Sequence, residues 1–152
     1  MNILTILSQC RKYQYLSIFD SGTAHNPMGV VGLNPSFIKN GKNATASILL
    51  DIAIREGFDS IVITNLYGYI TPDPKQLKGL SDPVGDENNI WIENMKNACS
   101  KILCIWGNNA DKNRVQEILP LIKKKAYTIG FTKSGQPRHV LHTKKDAALI
   151  KL

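Results

Sequence analysis

The apolar run Met28-Gly29-Val30-Val31 stops at Gly32-Leu33-Asn34-Pro35-Ser36, and a buried strand ending at Asn-Pro constrains the fold more than any other feature of this chain. A nearly continuous hydrophobic run is what a strand needs when both faces of its sheet are covered, as in parallel sheets flanked by helices. Such sheets bind ligands beyond the carboxyl ends of their strands. Pro35 ends the strand because it has no N–H for the ladder and a fixed φ, which holds Asn34 at the rim with a short amide to aim into a crevice.

The layout recurs along the chain. Ser60-Ile61-Val62-Ile63-Thr64 is a second β-branched run, and Asn65 follows it. Lys101-Ile102-Leu103-Cys104-Ile105 is a third, ending in Trp106-Gly107-Asn108-Asn109, and Lys125-Ala126-Tyr127-Thr128-Ile129 is a fourth, leading through a polar loop to His142. Four strand ends then deliver amide, glycine, aromatic and imidazole groups to one edge.

Helical patterns separate the runs. Ala46, Leu49, Leu50 and Ala53 share one face, with Asn43 or Thr45 as cap and Gly57 as stop. Residues 86–98 form a second helix, and Val115, Ile118, Leu119 and Ile122 mark a third, with a kink or break expected at Pro120. Residues 144–152 read as a short terminal helix, residues 13–19 as an edge strand paired antiparallel to the sheet, and residues 71–85 as a long irregular loop held by prolines. Strands alternating with helices argue for βαβ crossovers and an α/β fold.

At 152 residues the chain fits a single domain, 1–152. No span reaches the roughly 20 apolar residues that cross a bilayer, so no membrane partner is expected. The apolar start carries no basic lead or cleavage site of a signal peptide, and three cysteines without metal-ligand spacing read as reduced thiols, so a cytoplasmic protein is expected. The net charge of +7 suits an anionic partner such as nucleic acid and equally a solvated basic surface. Phosphate-loop, zinc and serine-hydrolase patterns are missing from the sequence. Asp82, Asp86 and Glu87 offer Mg²⁺ ligands, but capping and the helix dipole explain the last two; no metal and no cofactor is expected.

Leu33-Asn34-Pro35-Ser36, Thr64-Asn65-Leu66-Tyr67, Thr71-Pro72-Asp73-Pro74, Asp82-Pro83-Val84-Gly85-Asp86-Glu87-Asn88, Trp106-Gly107 and Thr132-Lys133-Ser134-Gly135-Gln136-Pro137-Arg138-His139 together resemble the family catalogued as domain of unknown function 1643, over about residues 13–142. More distantly, Gly32-Leu33-Asn34-Pro35-Ser36, Ile63-Thr64-Asn65, Ile102-Leu103-Cys104-Ile105-Trp106-Gly107 and Gln136-Pro137-Arg138-His139-Val140-Leu141 resemble, in order, motifs of the mismatch-specific branch of the uracil-DNA glycosylase superfamily. That likeness implies a three-layer α/β/α sandwich around a central, mainly parallel four-stranded sheet, with residues 13–19 as an additional N-terminal edge strand.

The same likeness implies a chemistry: metal-independent hydrolysis of the N-glycosidic bond of a flipped pyrimidine, in DNA rather than RNA. Asn34 would position water and His139 would stabilise the leaving group; Asn65, Phe37, Ser36, Pro35 and Trp106 would surround the base; Lys133, Arg138 and Gln136 would contact nucleic acid. The last motif aligns with a one-residue offset, so either His139 or Gln136 takes the histidine position. Asn34 stands where the most active uracil-excising enzymes carry aspartate, and an amide orients water without taking its proton. Ser36 replaces a bulky tyrosine and leaves room for a 5-substituent. Each residue also has a plainer role open to it: Asn34 in an Asx turn, Trp106 and Phe37 in packing, His139 on a surface loop. Two other functions fit the same residues, a non-catalytic nucleic-acid or nucleotide-binding module and a basic interaction or inhibitor protein.

Overall fold

The β-branched runs pair with one another in a computed structural model that describes residues 2–36 and 43–152. Along the described residues run β1 (Asn2–Leu7), β2 (Gln14–Asp20), β3 (Pro27–Gly32), α1 (Ala44–Arg55), β4 (Ser60–Asn65), α2 (Asn88–Ala98), β5 (Ile102–Cys104), α3 (Lys112–Ile122), β6 (Ala126–Thr128) and β7 (Ile150–Lys151). The strands form one sheet in the order β1-β2-β4-β3-β5-β6-β7. β3 pairs in parallel with β4 and β5, and β5 with β6, whereas β1–β2, β2–β4 and β6–β7 are antiparallel.

Successive side chains of a strand face opposite sides, and both sides here are apolar. Phe19, Val30, Ile61 and Leu103 pack with Leu49, Ile52 and Ala53 of α1. Val31, Val62, Ile102 and Cys104 pack with Ile92 and Met95 of α2 and Ile118 and Ile122 of α3. Helices therefore cover both faces, and fully buried side chains such as Phe19, Ile61 and Ile102 each contribute ~1.5–3 kcal/mol by leaving water. Gly29 of β3 is what lets α2 approach, because a Cβ there would collide with the Met95 Sδ. No helix among the described residues is long and apolar enough to cross a membrane.

Several expectations need correction. The α/β class holds, but the sheet has seven strands of mixed direction rather than four. β1, in the sequence only an apolar lead, pairs with β2 along its length, so β2 is an interior strand and not an edge. Residues 144–152 form no helix: Ile150 and Lys151 pair with Thr128 and Tyr127, and the Leu152 N–H donates to the Ala126 carbonyl. An open strand edge offers bonds immediately, whereas so short a helix must first meet the cost of nucleation. Pro120 does not break α3, since Pro120 and Gln116, whose carbonyl loses its partner, are both exposed and water can serve it. α2 begins at Asn88 instead of residue 86, and Glu87 at its N-cap makes no side-chain capping bond. Asn43 caps α1 by accepting from the Ala46 N–H at 2.9 Å, and Gly57, at φ +90°, follows its end.

Candidate functional site

The end of β4 is held from three sides. The Leu66 N–H donates to the Gly32 carbonyl at 2.9 Å, Asn88 Nδ2 donates to the Asn65 carbonyl at 2.8 Å, and Arg114 Nε donates to the Leu66 carbonyl at 2.7 Å. These bonds fix the Asn65 backbone, while its side-chain carboxamide has no hydrogen-bond partner among the described residues. Asn65 is only 7 % exposed. The described buried side-chain atoms without a partner are Asn88 Oδ1 and Trp91 Nε1, so the Asn65 amide atoms are open to the cavity, where solvent or a ligand supplies their bonds.

Asn34 is arranged in the opposite way. Its Nδ2 donates to the carbonyls of Thr71 at 2.8 Å, Pro35 at 3.0 Å and, more weakly, Tyr69 at 3.5 Å. Three acceptors around one atom identify it as the nitrogen. The donor end thus fastens the chain after β3 to the loop after β4, helped by the Thr71 N–H to the Pro35 carbonyl at 3.1 Å. What remains for a ligand is the Asn34 oxygen.

Residues 130–138 fold back as a hairpin, with Phe131 bridged to Pro137 and Gly135 turning at φ +83°. It is tied to the end of β5. Thr132 Oγ1 and Ser134 Oγ both donate to Asn108 Oδ1, at 2.6 and 2.7 Å, the Gly107 N–H donates to the Pro137 carbonyl at 2.8 Å, and Trp106 Nε1 donates to Gln136 Oε1 at 3.0 Å. His139 follows. Its Nδ1 accepts from the Leu141 N–H at 3.2 Å, which leaves the proton on Nε2. Burial, and then repulsion from His142, push its pKa below the ordinary imidazole value, so the ring is neutral at pH 7.

A cavity of about 880 Å³ opens where these ends meet. Asn34, Pro35, Ser36, Asn65, Trp106, Lys133, Arg138 and His139 all line it, so one site holds eight of the ten residues singled out from the sequence. Gln136 is not in the wall; its carboxamide oxygen accepts from Trp106, which is. Phe37 lies outside the described residues. Among the described residues the wall contains no aspartate or glutamate, and neither Lys133 nor Arg138 has an acidic partner. The site therefore favours an anion over a cation.

Other chemistries find little to work with. No group of three or more metal-ligating side chains occurs among the described residues. Asp82 instead shapes a turn, accepting from the Val84 and Gly85 N–H groups at 3.1 and 3.0 Å. Cys99 and Cys104 are core residues whose thiols burial pushes up, Cys99 to about 11, so neither forms a thiolate readily. Part of the basic excess is used far from the cavity: Lys125 Nζ donates to the Lys96 and Cys99 carbonyls, and Lys151 Nζ to those of Lys123 and Ala126.

Sequence reasoning missed Gln14, Ser17 and Phe19 of β2, and Asn43, Thr45 and Leu49 near the start of α1, all of which line the cavity. The cap signal at Asn43 and Thr45 was readable; their place beside the strand ends follows from the β3–α1 crossover. The β2 residues could be placed only by its register against β4. The chain matches no curated protein and no solved structure. Residues 18–141, most of the chain, match the family described as protein of unknown function DUF1643, and the chain belongs to that family.

Proposed function

We propose that the cavity receives a pyrimidine base and that the protein hydrolyses its N-glycosidic bond, acting on DNA without a metal. The observation that carries this reading is the Asn65 carboxamide: on a buried residue held by its backbone, without a partner among the described residues, and in the wall of a cavity that no described carboxylate lines. A carboxamide carries a donor and an acceptor side by side, so it pairs through two bonds with a ring N–H and its adjacent carbonyl or with an amine and its adjacent ring nitrogen, which is how a base edge is read. The choice of DNA and of hydrolysis draws on the likeness of the Asn34, Asn65 and His139 motifs to the uracil-DNA glycosylase superfamily, whose sandwich fold is part of the same proposal.

In the proposed reaction Asn34 Oδ1 accepts a hydrogen bond from water and orients it toward C1′ of the sugar. The water oxygen bonds to C1′ as the C1′–N bond breaks, and the electron pair leaves with the base. The Nε2–H of His139 donates to the oxygen on which that charge collects, the role a preorganised donor plays in transition-state stabilisation. The water proton passes to solvent, since the wall offers no carboxylate to take it. The reaction is accordingly slow, or confined to bases that leave well. Ser36 leaves space for a 5-substituent, and Lys133 and Arg138 contact phosphates.

A second reading is specifically favoured by the fastening of Asn34 Nδ2 to three backbone carbonyls together with the lack of a carboxylate base: a module that binds a modified base or nucleotide and does not turn it over. Incubation with duplexes and single strands carrying uracil, mismatched thymine and 5-substituted pyrimidines, followed by cleavage at abasic sites, separates the two. Abasic product that disappears in Asn34→Ala and Asn65→Ala supports hydrolysis. Binding without product selects the module, and binding indifferent to Asn65 removes both.

A further inference from the structure

We propose that Gln14 is a second base-reading carboxamide, one that selects a ligand carrying an amino group on the edge that Asn65 holds; this rests on the base-reading role given to Asn65. Gln14 begins β2, the antiparallel neighbour of β4, and lines the same cavity as Asn65. Its backbone N–H donates to the Gly68 carbonyl at 2.8 Å, just beyond the end of β4. Its side-chain Nε2 donates to Ser17 Oγ at 2.9 Å, and Ser17 Oγ lies 3.4 Å from Thr5 Oγ1.

That chain of polar groups is out of place on its surface. Ser17 is 4 % exposed and pairs in register with Ile63, and the next residue inward on that face, Phe19, is fully buried. A buried hydroxyl among hydrocarbon stabilises nothing unless it is bonded. Here it accepts from Gln14 Nε2 on one side and lies beside Thr5 Oγ1 on the other, so one hydrogen of the Gln14 amide nitrogen is engaged. One Nε2 hydrogen is thereby spent, and Gln14 Oε1, with no partner among the described residues, is the acceptor this cavity-lining side chain has to offer.

The consequence is a choice of functional group. An exocyclic amine has two N–H bonds and can give one to Asn65 Oδ1 and the other to Gln14 Oε1, while the adjacent ring nitrogen accepts from Asn65 Nδ2. An oxo group has no N–H, so binding it would bury the Gln14 oxygen unpaired, and sites built to bond a group discriminate strongly against its absence.

The test is calorimetric titration of cytidine and uridine 5′-monophosphates into the full-length protein and into Gln14→Leu, Gln14→Glu and Asn65→Ala. The native protein is expected to bind the cytidine nucleotide about tenfold more tightly. Gln14→Leu is expected to bring the ratio near one by weakening the cytidine nucleotide alone, while Gln14→Glu, which keeps an acceptor, retains the preference. Gln14→Met, matched in length, repeats the measurement if the leucine variant does not fold. A ratio unchanged in Gln14→Leu, or a native preference for the uridine nucleotide, overturns the proposal. If Asn65→Ala abolishes binding while Gln14→Leu leaves the ratio intact, only the role of Gln14 falls; if the native protein binds neither nucleotide, the base-reading role of Asn65 falls and takes this inference with it.

Discussion

Gly32 and Asn65 are direct partners across the parallel β3–β4 pair, and the Asn65 carboxamide occupies the space a side chain at position 32 would fill: Oδ1 lies 2.5 Å from where a Cβ would stand. Glycine is thus what lets an amide without a partner among the described residues lie along the strand end, open to the cavity. Gly32→Ala is expected to fold, because the obstructing atom is the tip of a side chain that can swing away, and to lose ligand because that tip has moved. Asn65→Ala should weaken ligand by ~1–3 kcal/mol, the worth of a bidentate base contact, and shift the melting temperature little, since no intramolecular hydrogen bond of the carboxamide is lost. Titration and thermal melts of both variants check this, and a large fall in melting temperature for Asn65→Ala would contradict it.

Asn34 is expected to behave in reverse. Removing its Nδ2 leaves the Thr71 and Pro35 carbonyls short of a donor, so Asn34→Ala should cost ~1–3 kcal/mol of stability as well as any water-positioning role. Asn34→Asp would set a carboxylate against those carbonyls, and it is expected to be at least as destabilising and to raise no rate. Chemical denaturation of the two variants is the measurement, with an Asp variant as stable as the native protein as the opposing result.

The pH dependence follows from His139. Its folded-state pKa is lowered, by burial first and by His142 second, so the unfolded chain binds the proton more readily. Its share of stability is therefore complete above the unfolded value of about 6.5 and is lost as pH falls through the lower folded value. Protonation also removes the Nδ1 lone pair that accepts from Leu141. His139→Asn, which keeps a side-chain acceptor for that N–H and cannot titrate, is expected to flatten the decline in melting temperature just below pH 6.5. An identical pH profile would show that His139 is not the group responsible.

Salt dependence reports how many phosphates the site engages. Among the described residues Lys133 and Arg138 are the lysine and arginine in the cavity wall, and Lys125 and Lys151 are committed to backbone carbonyls elsewhere. Two phosphate contacts on duplex DNA give a slope of about −1.8 for log affinity against log salt, and replacing either residue by glutamine should reduce it by about 1. A slope several times steeper in the native protein would mean that nucleic acid follows a path other than this cavity.

The strand ends were legible because their punctuation is local. Gly32-Leu33-Asn34-Pro35 and Thr64-Asn65 mark where β-branched runs must stop, and parallel pairing aligns those stops on one edge. β1 was not legible, since Asn-Ile-Leu-Thr-Ile-Leu lacks the alternation of a half-buried strand and leaves Ile3 and Leu4 exposed. β7 was missed because its two residues are fixed by the open edge of β6 rather than by propensity. Asn34 and Asn65 could be chosen as a pair from sequence, but not told apart. What distinguishes them is that two carbonyls from the loop after β4, with that of neighbouring Pro35, surround one amide and none surrounds the other, and the positions of the distant two depend on the tertiary fold.

The central claim is that the Asn65 carboxamide is left unbonded so that a base can bond it. Titrating pyrimidine nucleotides into the native protein and Asn65→Ala while following the Asn65 side-chain amide by ¹⁵N NMR tests this directly. The expected result is a saturable shift of that amide resonance in the native protein and a loss of about tenfold or more in affinity in the variant. Saturable binding that leaves the Asn65 resonance in place, with equal affinity in Asn65→Ala, would contradict it.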